Sequence, residues 1–344
     1  MNRLVKKYGF VFLIALFHTG CSPVMEKKFS GQTMGTTYAI KIIVTPSFLG
    51  NHPALHDSIH FILDQINQQM STYLETSEIT SFNSASANKW IPVSCDLAQV
   101  VKTAKRISEK SNGAFDITVS PLVNVWGFGS QSIRRNVPEQ SIIDSAMALT
   151  GHRKCDVRME PPALKKNIAG LSIDLSAIAK GYGVDKVAEY LEQSGVKNYL
   201  VEIGGEIRAQ GHNAGHVPWR IGIQAPDGGN HVQKILSIDN FSVATSGDYR
   251  NYFESGGVRY SHTIDPRDGR PIRHTLASVT VLHDTCMIAD AYATAINVLG
   301  PHQGYQLAVQ NNLSVLLLIK SQHGFFEKTT PLFEQFLEKN TKNG

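Results

Sequence analysis

Cysteine is scarce: the chain has 4 in 344 residues. Beyond the N-terminal segment, Cys95, Cys155 and Cys286 form no CxxC pair and no metal-type spacing. The spacing therefore offers neither a redox pair nor thiolate metal ligands. A single disulfide in an oxidising compartment stays open, but nothing selects the pair, and the three read mainly as packing residues. No run of lysine and arginine occurs, and the net charge of +4 is small for this length. That excludes the basic footprint of a nucleic-acid surface. The apolar stretch Phe10–Phe17 is too short to span a bilayer. There are no internal repeats or low-complexity tracts, so the chain is neither a solenoid nor a disordered linker.

What is present is a globular composition, 42% apolar and 18% charged, with 28 glycines that imply many turns. The length suffices for a full core and exceeds that at which one domain is the safest expectation. The first 21 residues read as a targeting segment. Arg3, Lys6 and Lys7 form a positive n-region and Phe10–Phe17 a short apolar core. The end, Phe17-His18-Thr19-Gly20-Cys21-Ser22, resembles a bacterial lipobox, with His18 where leucine is usual. In that reading Cys21 is diacylated and becomes the mature N-terminus; an ordinary secretory signal is the alternative. Ser22, rather than Asp, resembles lipoproteins sent on to an outer membrane, with an inner-membrane location also open. Acyl chains anchor a protein without a transmembrane helix.

The chain is organised around residues 173–191. An apolar stub, Leu171 to Leu175, carries Asp174 and runs into a small-residue loop. A helix follows, with Val184, Val187, Ala188 and Leu191 at i, i+3, i+4 and i+7. A glycine-rich bend before a helix suits the approach of an anion, and an ordinary turn is the competing reading. Upstream, residues 22–30 read as a polar connector, Tyr38, Ile40, Ile42 and Val44 as a half-buried strand, and Ile59 to Met70 as an amphipathic helix. A second helix is expected over 96–112, capped by Asp96 and stopped by Gly113. Residues 113–129 are apolar but broken by Asp116, Pro121 and Asn124, a poor regular element and a good pocket lining. Residues 129–141 read as an exposed connection. Downstream, strands are expected at 199–203, 220–224, 240–245, 278–282 and 314–319, a hairpin-like turn at Gly256-Gly257, and helices at 287–299 and 302–311. A polar tail, 331–344, closes the chain. Without a clean βαβ rhythm, this pattern implies an α+β fold with largely antiparallel sheets and packed helices.

Chemistry is suggested at few places. Asp290 and Thr294 share a helix face at i, i+4, and a carboxylate plus a hydroxyl suits a hard cation such as Mg²⁺. Asp290 lies among Met287, Ile288, Ala289 and Ala291, where an unpaired carboxylate is costly. His262 follows Tyr260 and Ser261, and an imidazole can take a proton from an attacking hydroxyl. Asp116 and Asp174, bounded by apolar residues, suit either ligand hydrogen bonds or a cap or turn.

These stretches follow one another as in a known family. Met34-Gly35-Thr36, Met70-Ser71-Thr72-Tyr73, Gly113-Ala114-Phe115-Asp116-Ile117-Thr118, Asp174 through Gly181, Gly204-Gly205-Glu206, Thr245-Ser246-Gly247-Asp248, His262-Thr263-Ile264-Asp265-Pro266 and Ala289-Asp290-Ala291 together resemble the bacterial FAD:protein FMN transferases. The resemblance covers roughly residues 30–320 and includes the lipoprotein signal. It implies a flavin transferase domain over 31–330 with its FAD site in a cleft between two lobes. It further implies that Met34, Tyr73, Ala114, Phe115, Asp116, Asp174, Lys180 and Ile264 line the FAD site. Mg²⁺ is expected on the backbone oxygen of Ala177 with the side chains of Asp290 and Thr294, and His262 as general base. The family often has Thr at the position of Ala177 and an acidic residue at that of Lys180, which leaves the role of Lys180 open. Ala293 stands where some relatives carry a second acidic residue. The implied reaction moves FMN from FAD to a Thr or Ser hydroxyl of a flavoprotein, such as a subunit of a membrane redox pump, with release of AMP. The rivals are a Mg²⁺-dependent FAD pyrophosphatase and a non-catalytic flavin-binding lipoprotein.

If Cys21 carries the anchor, Cys21→Ala releases the protein from the membrane fraction or blocks its processing. Fractionation with N-terminal sequencing reads this, and a variant that stays membrane-bound and is cut at the same place contradicts it.

Overall fold

The computed structural model describes residues 23–129, 136–229, 231–247, 251–322 and 324–342. Cys21 and the rest of the targeting segment lie outside them, as do Arg134, Arg135, Asp248 and Tyr249. Eight strands form one sheet: β1 (Met25–Thr33), β2 (Thr36–Val44), β3 (Tyr199–Ile203), β4 (Glu206–Gln210), β5 (Phe241–Gly247), β6 (Leu276–His283), β7 (Ser314–Ser321) and β8 (Gly324–Thr329). Their spatial order is their chain order, and every neighbouring pair is antiparallel. The helices and smaller hairpins are therefore insertions between successive strands of one meander, except for the C-terminal helix that follows β8.

Both faces of this sheet are covered. On β7, Val315 and Leu317 belong to the core beneath the helices, while Leu316 and Leu318 belong to the core of the opposite face. Alternation with apolar residues on both sides explains why this strand reads as an unbroken apolar run. The helical layer comprises α1 (Leu55–Met70), α2 (Cys95–Lys110), α3 (Ala179–Gln193) and α4 (Cys286–Gln310). Val184, Val187, Ala188 and Leu191 of α3 are fully buried, as their spacing predicts, against Tyr38, Ile40, Ile42, Val201 and Ile203. α4 is interrupted at Gly300, whose φ of 75° is followed by Pro301. The two expected helices thus meet at a glycine that tolerates positive φ and a proline that cannot continue the ladder.

Three segments differ from the sequence reading. The 22–30 connector is mostly the edge strand β1, whose Phe29 is buried. The 331–344 tail forms the helix α5 (Pro331–Lys342), which buries Phe333 and Phe336 on the sheet face opposite the main helices. Of the 129–141 connection, residues 130–135 lie outside the described residues, and its last residues begin a helix at Gln140. Cys95, Cys155 and Cys286 are free thiols, the last two buried.

A smaller core stands apart from the main one. Leu122, Trp126, Ile143, Ala146, Tyr260 and Ile264 pack together, and Trp126 Nε1 donates to the carbonyl of Gly269. This second lobe faces the helical layer across a cleft.

The glycines of the central stretch lie inside α3 rather than in a bend before it. A Cβ on Gly181 would stand 2.4 Å from the carbonyl oxygen of Cys286 and 2.8 Å from Asp290 Cβ. Only glycine lets the first turns of α3 and α4 approach this closely. On Gly183 a Cβ would meet the Met34 methyl at 2.8 Å, a flexible group that can move. We expect Gly181→Ala to cost roughly 1–3 kcal/mol, as overpacking does, and Gly183→Ala less; urea denaturation of the two variants beside the parent checks the order.

Candidate functional site

The cleft between the lobes has a volume of about 1080 Å³, at or beyond the upper end of the usual range for small-molecule sites, roughly 300–1,000 Å³. All twelve residues expected at the site line it: Met34, Tyr73, Ala114, Phe115, Asp116, Asp174, Ala177, Lys180, His262, Ile264, Asp290 and Thr294. They come from segments far apart in the chain. The meander brings the tip of the β1–β2 hairpin, the start of α3, the Gly204-Gly205 turn and the start of α4 to one side of the cleft.

The junction of α3 and α4 sets the charged part of the cleft. Asp185 of α3 accepts from the first two N–H groups of α4, Cys286 and Met287, each at 2.9 Å. In return, Asp290 of α4 accepts from Gly181 N of α3 at 3.0 Å. Each helix thus supplies a carboxylate to the orphan donors at the other's N-terminus, where the helix dipole favours negative charge. The anion drawn to the glycine-bearing helix start is the protein's own Asp290. Arg208 completes the arrangement by donating to Asp185 at 3.1 Å and to Glu192 at 2.9 Å.

Lys180 lies 3.4 Å from Glu206 and 3.9 Å from Asp290. It is an ion-pair partner of two buried carboxylates, which answers the question its sequence position left open. Burial works against its ammonium, but Asp290 and then Glu206 outweigh that and raise its pKa. Burial pushes the Asp290 carboxyl up and that of Glu206 up to about 8. Glu206 Oε2 is buried with no hydrogen-bond partner. Glu206 was quoted in the sequence only as part of Gly204-Gly205-Glu206; the signal that it belongs to the site is its contact with Lys180, a long-range pairing. Thr294 lies one turn beyond Asp290, its hydroxyl 3.3 Å from that of Ser246.

The 113–119 stretch is held from within. Asp116 Oδ1 accepts from Thr118 N and Oγ1 at 2.8 and 2.6 Å, and Oδ2 from His152 N at 2.7 Å. Its carboxylate is engaged by the protein as the cap of the turn Ile117–Val119. Asp174 makes a turn by accepting from Ser176 N at 2.8 Å, and its own N–H donates to Ile117 O at 2.7 Å. The apolar stub before it is clamped by Asn83, which pairs with both the N–H and the C=O of Ile173. Buried Lys166 donates to the carbonyls of Asn83 and Leu171. Met34 occupies the β1–β2 turn at φ 49°, before Gly35 at φ 70°, a strained conformation for a bulky side chain. Tyr73 stands at the rim with 75% of its surface exposed, an aromatic face open to solvent.

His262 sits on the second lobe, 6.3 Å edge-to-face from Phe128. Its Nδ1 lies 3.0 Å from the carbonyl oxygen of Asn251. A carbonyl only accepts, so Nδ1 carries the hydrogen and the neutral ring keeps its lone pair on Nε2.

A two-lobed cleft large enough for a dinucleotide, with carboxylates and hydroxyls on one wall and an imidazole on the other, defines a nucleotide-handling enzyme. The sequence pattern of the ApbE family matches residues 34–317, and the chain belongs to that family. It is 45% identical over 326 residues to the FAD:protein FMN transferase of Vibrio cholerae, covering 94% of this chain and 97% of the relative. To the Escherichia coli K12 FAD:protein FMN transferase it is 40% identical over 342 residues, covering 95% and 96%. The solved structure of the Vibrio cholerae flavin transferase ApbE superposes with a TM-score of 0.84 at 43% identity, covering 91% of this chain and 100% of that one. Apo Pseudomonas stutzeri flavinyl transferase ApbE gives 0.84 at 40% identity, covering 91% and 97%. The protein is a flavin transferase that takes FAD as substrate.

Asp185→Ala removes the acceptor of two helix N–H groups and leaves Arg208 with one partner fewer. The lost cap alone is worth roughly 1–2 kcal/mol, and Asp185→Asn, which keeps one oxygen, costs less. Denaturant midpoints check the order, and FAD turnover should fall with them because Asp290 loses its support.

Proposed function

We propose that this enzyme transfers FMN from FAD to a Thr or Ser hydroxyl of its acceptor, with Mg²⁺ and with release of AMP. The observation that carries this reading is the pair of buried carboxyl groups, Asp290 and Glu206, that share the single ammonium of Lys180 beside the α3–α4 junction, leaving room for a further cation to pair with them. Among the described residues no group of three or more His, Cys, Asp and Glu converges on one point. Mg²⁺ needs no such group, since it takes one or two carboxylates and completes its shell with water and phosphate oxygens. The residues present fit it: Asp290 and Thr294 by their side chains and Ala177 by its carbonyl would hold the ion. When bound, Mg²⁺ supplies charge neutralisation for the pyrophosphate.

His262 accepts the proton of the acceptor hydroxyl at Nε2, a role supported by the donation of Nδ1 to Asn251. The acceptor oxygen forms a bond to the phosphorus on the riboflavin side, and the bond from that phosphorus to the bridging oxygen breaks. AMP leaves with that oxygen. Positioning and electrostatics carry most of such a transfer. Lys180 holds the two carboxylates together, and Met34 and Tyr73 offer apolar and aromatic contacts to the rings of FAD. Asp116, with its oxygens engaged, contributes by fixing the loop that lines the cleft, and Asp174 by joining it to the start of α3. Phe115, Ala114 and Ile264 shape the wall.

Among the described residues no helix is long and apolar enough to cross a membrane. A lipid anchor at Cys21 remains our reading, with the enzyme facing the periplasm; Ser22 favours the outer membrane and the inner membrane is the alternative. Because β1 begins at Met25, the span from Cys21 is at most roughly 14 Å. This short tether keeps the cleft near membrane-bound acceptors, of which subunits of redox pumps are the class implied.

The test follows AMP and acceptor-bound flavin with and without acceptor and chelator. Acceptor-dependent AMP release that stops with chelator supports the proposal; acceptor-independent release makes the enzyme a pyrophosphatase, and no release makes it a flavin carrier. His262→Ala should keep FAD affinity and lower single-turnover transfer by roughly 10²–10⁴-fold. Weakened binding with an unchanged rate at saturating FAD would remove His262 from the chemistry. Asp290→Ala should abolish the response to Mg²⁺.

A further inference from the structure

The face of α1 beside the β1–β2 hairpin carries two histidines one turn apart, outside the cleft. His56 Nε2 and His60 Nε2 lie 3.1 Å from each other, and the Tyr38 hydroxyl lies 2.9 Å from His60 Nε2. Both rings are braced. His56 stacks on Phe29 with centroids 5.2 Å apart and planes at 20°, and His60 stands edge-on to Tyr38 at 5.6 Å and 78°.

We propose that His56 and His60 bind a late first-row divalent transition ion of the Zn²⁺ or Cu²⁺ type, at a site separate from the flavin cleft. Two ring nitrogens this close cannot both carry hydrogen, so the neutral pair shares one hydrogen between two lone pairs. A cation takes both Nε2 lone pairs once the shared hydrogen passes to Nδ1 of its own ring, so that each imidazole stays neutral. With metal–nitrogen bonds of about 2.05 Å, the observed separation subtends an angle of about 98° at the ion. That value falls between octahedral and tetrahedral geometry, and the ion takes the place of the Tyr38 hydroxyl contact at His60 Nε2. The i, i+4 spacing provides the register, and the braces on Phe29 and Tyr38 reduce the entropy lost on binding. Tyr38 offers a neighbouring oxygen, and water completes the shell.

Imidazole nitrogens select this class of ion, whereas Mg²⁺ requires oxygen. The two proposed metal positions therefore differ in chemistry as well as in place. An ion on α1 adds a link to the hairpin whose tip carries Met34. Asp64, one turn beyond His60 on the same helix, already lines the cleft.

The experiment titrates the full mature chain with Cu²⁺ by calorimetry in excess Mg²⁺ and records the electron paramagnetic resonance spectrum of the complex. One equivalent with two equatorial nitrogens is expected, displaced by a large excess of Zn²⁺. His56→Gln, at an exposed position, and His60→Gln should each weaken that equivalent at least tenfold and remove one nitrogen from the spectrum. Asp290→Asn should leave it intact. Unchanged Cu²⁺ binding in both histidine variants overturns the proposal, as does its loss in Asp290→Asn. If His60→Gln fails to fold, His56→Gln and the parent spectrum decide: fewer than two nitrogens in the parent also overturns it.

Discussion

The structure depends on the exchange of carboxylates between two helix starts. Asp185 closes the N-terminus of α4 and Asp290 that of α3, so neither helix start is complete without the other. The close approach at Gly181 makes the exchange geometrically available. The orphan donors of a buried helix start must find partners, and here the partners also bring Asp290 to the cleft. Support of the fold and placement of the site charge are thus one interaction.

Around that junction the protein accepts an unfavourable charge distribution. Asp290 and Glu206 are 3% and 4% exposed, with one lysine between them. Buried carboxylates without full compensation raise their own pKa values and cost stability. In the proposed function that cost falls where the divalent ion would be held. Its counterweight is the large double-sided core, in which the eight-stranded sheet is covered by helices on one face and by α5 and a hairpin on the other.

The opposite wall follows a different rule. The second lobe has a small apolar core of its own, and His262 and Ile264 project from that lobe into the cleft. The 113–119 loop is tied to the start of α3 through Asp174 and Ile117. The groups that bind charge and the group proposed to move a proton therefore sit on different supports. In the proposed function a nucleotide between them would bridge the lobes.

The sequence by itself determined the elements whose physical signal is local. The i, i+3, i+4, i+7 stripe of α3, the alternation in β2 and the Gly300-Pro301 break follow from periodicity and backbone freedom over a few residues. The family resemblance carried by the ordered motifs named twelve residues that the fold places along one cleft; their roles are proposals. Local reading failed where burial comes from distant partners. Met25–Thr33 looks polar because it is an edge strand with one wet face, and α5 because only Phe333 and Phe336 reach the core. The Gly181–Gly183 stretch left an anion-approach bend and an ordinary turn both open; the tertiary fold made it a helix contact, since the nearest backbone to Gly181 belongs to residue 286. The fold alone decided that Lys180 pairs with Glu206 and Asp290 and that Asp116 is taken up by Thr118 and His152. Charge pairing and hydrogen bonding act over a few ångströms in space, and only the folded chain brings those groups within that range.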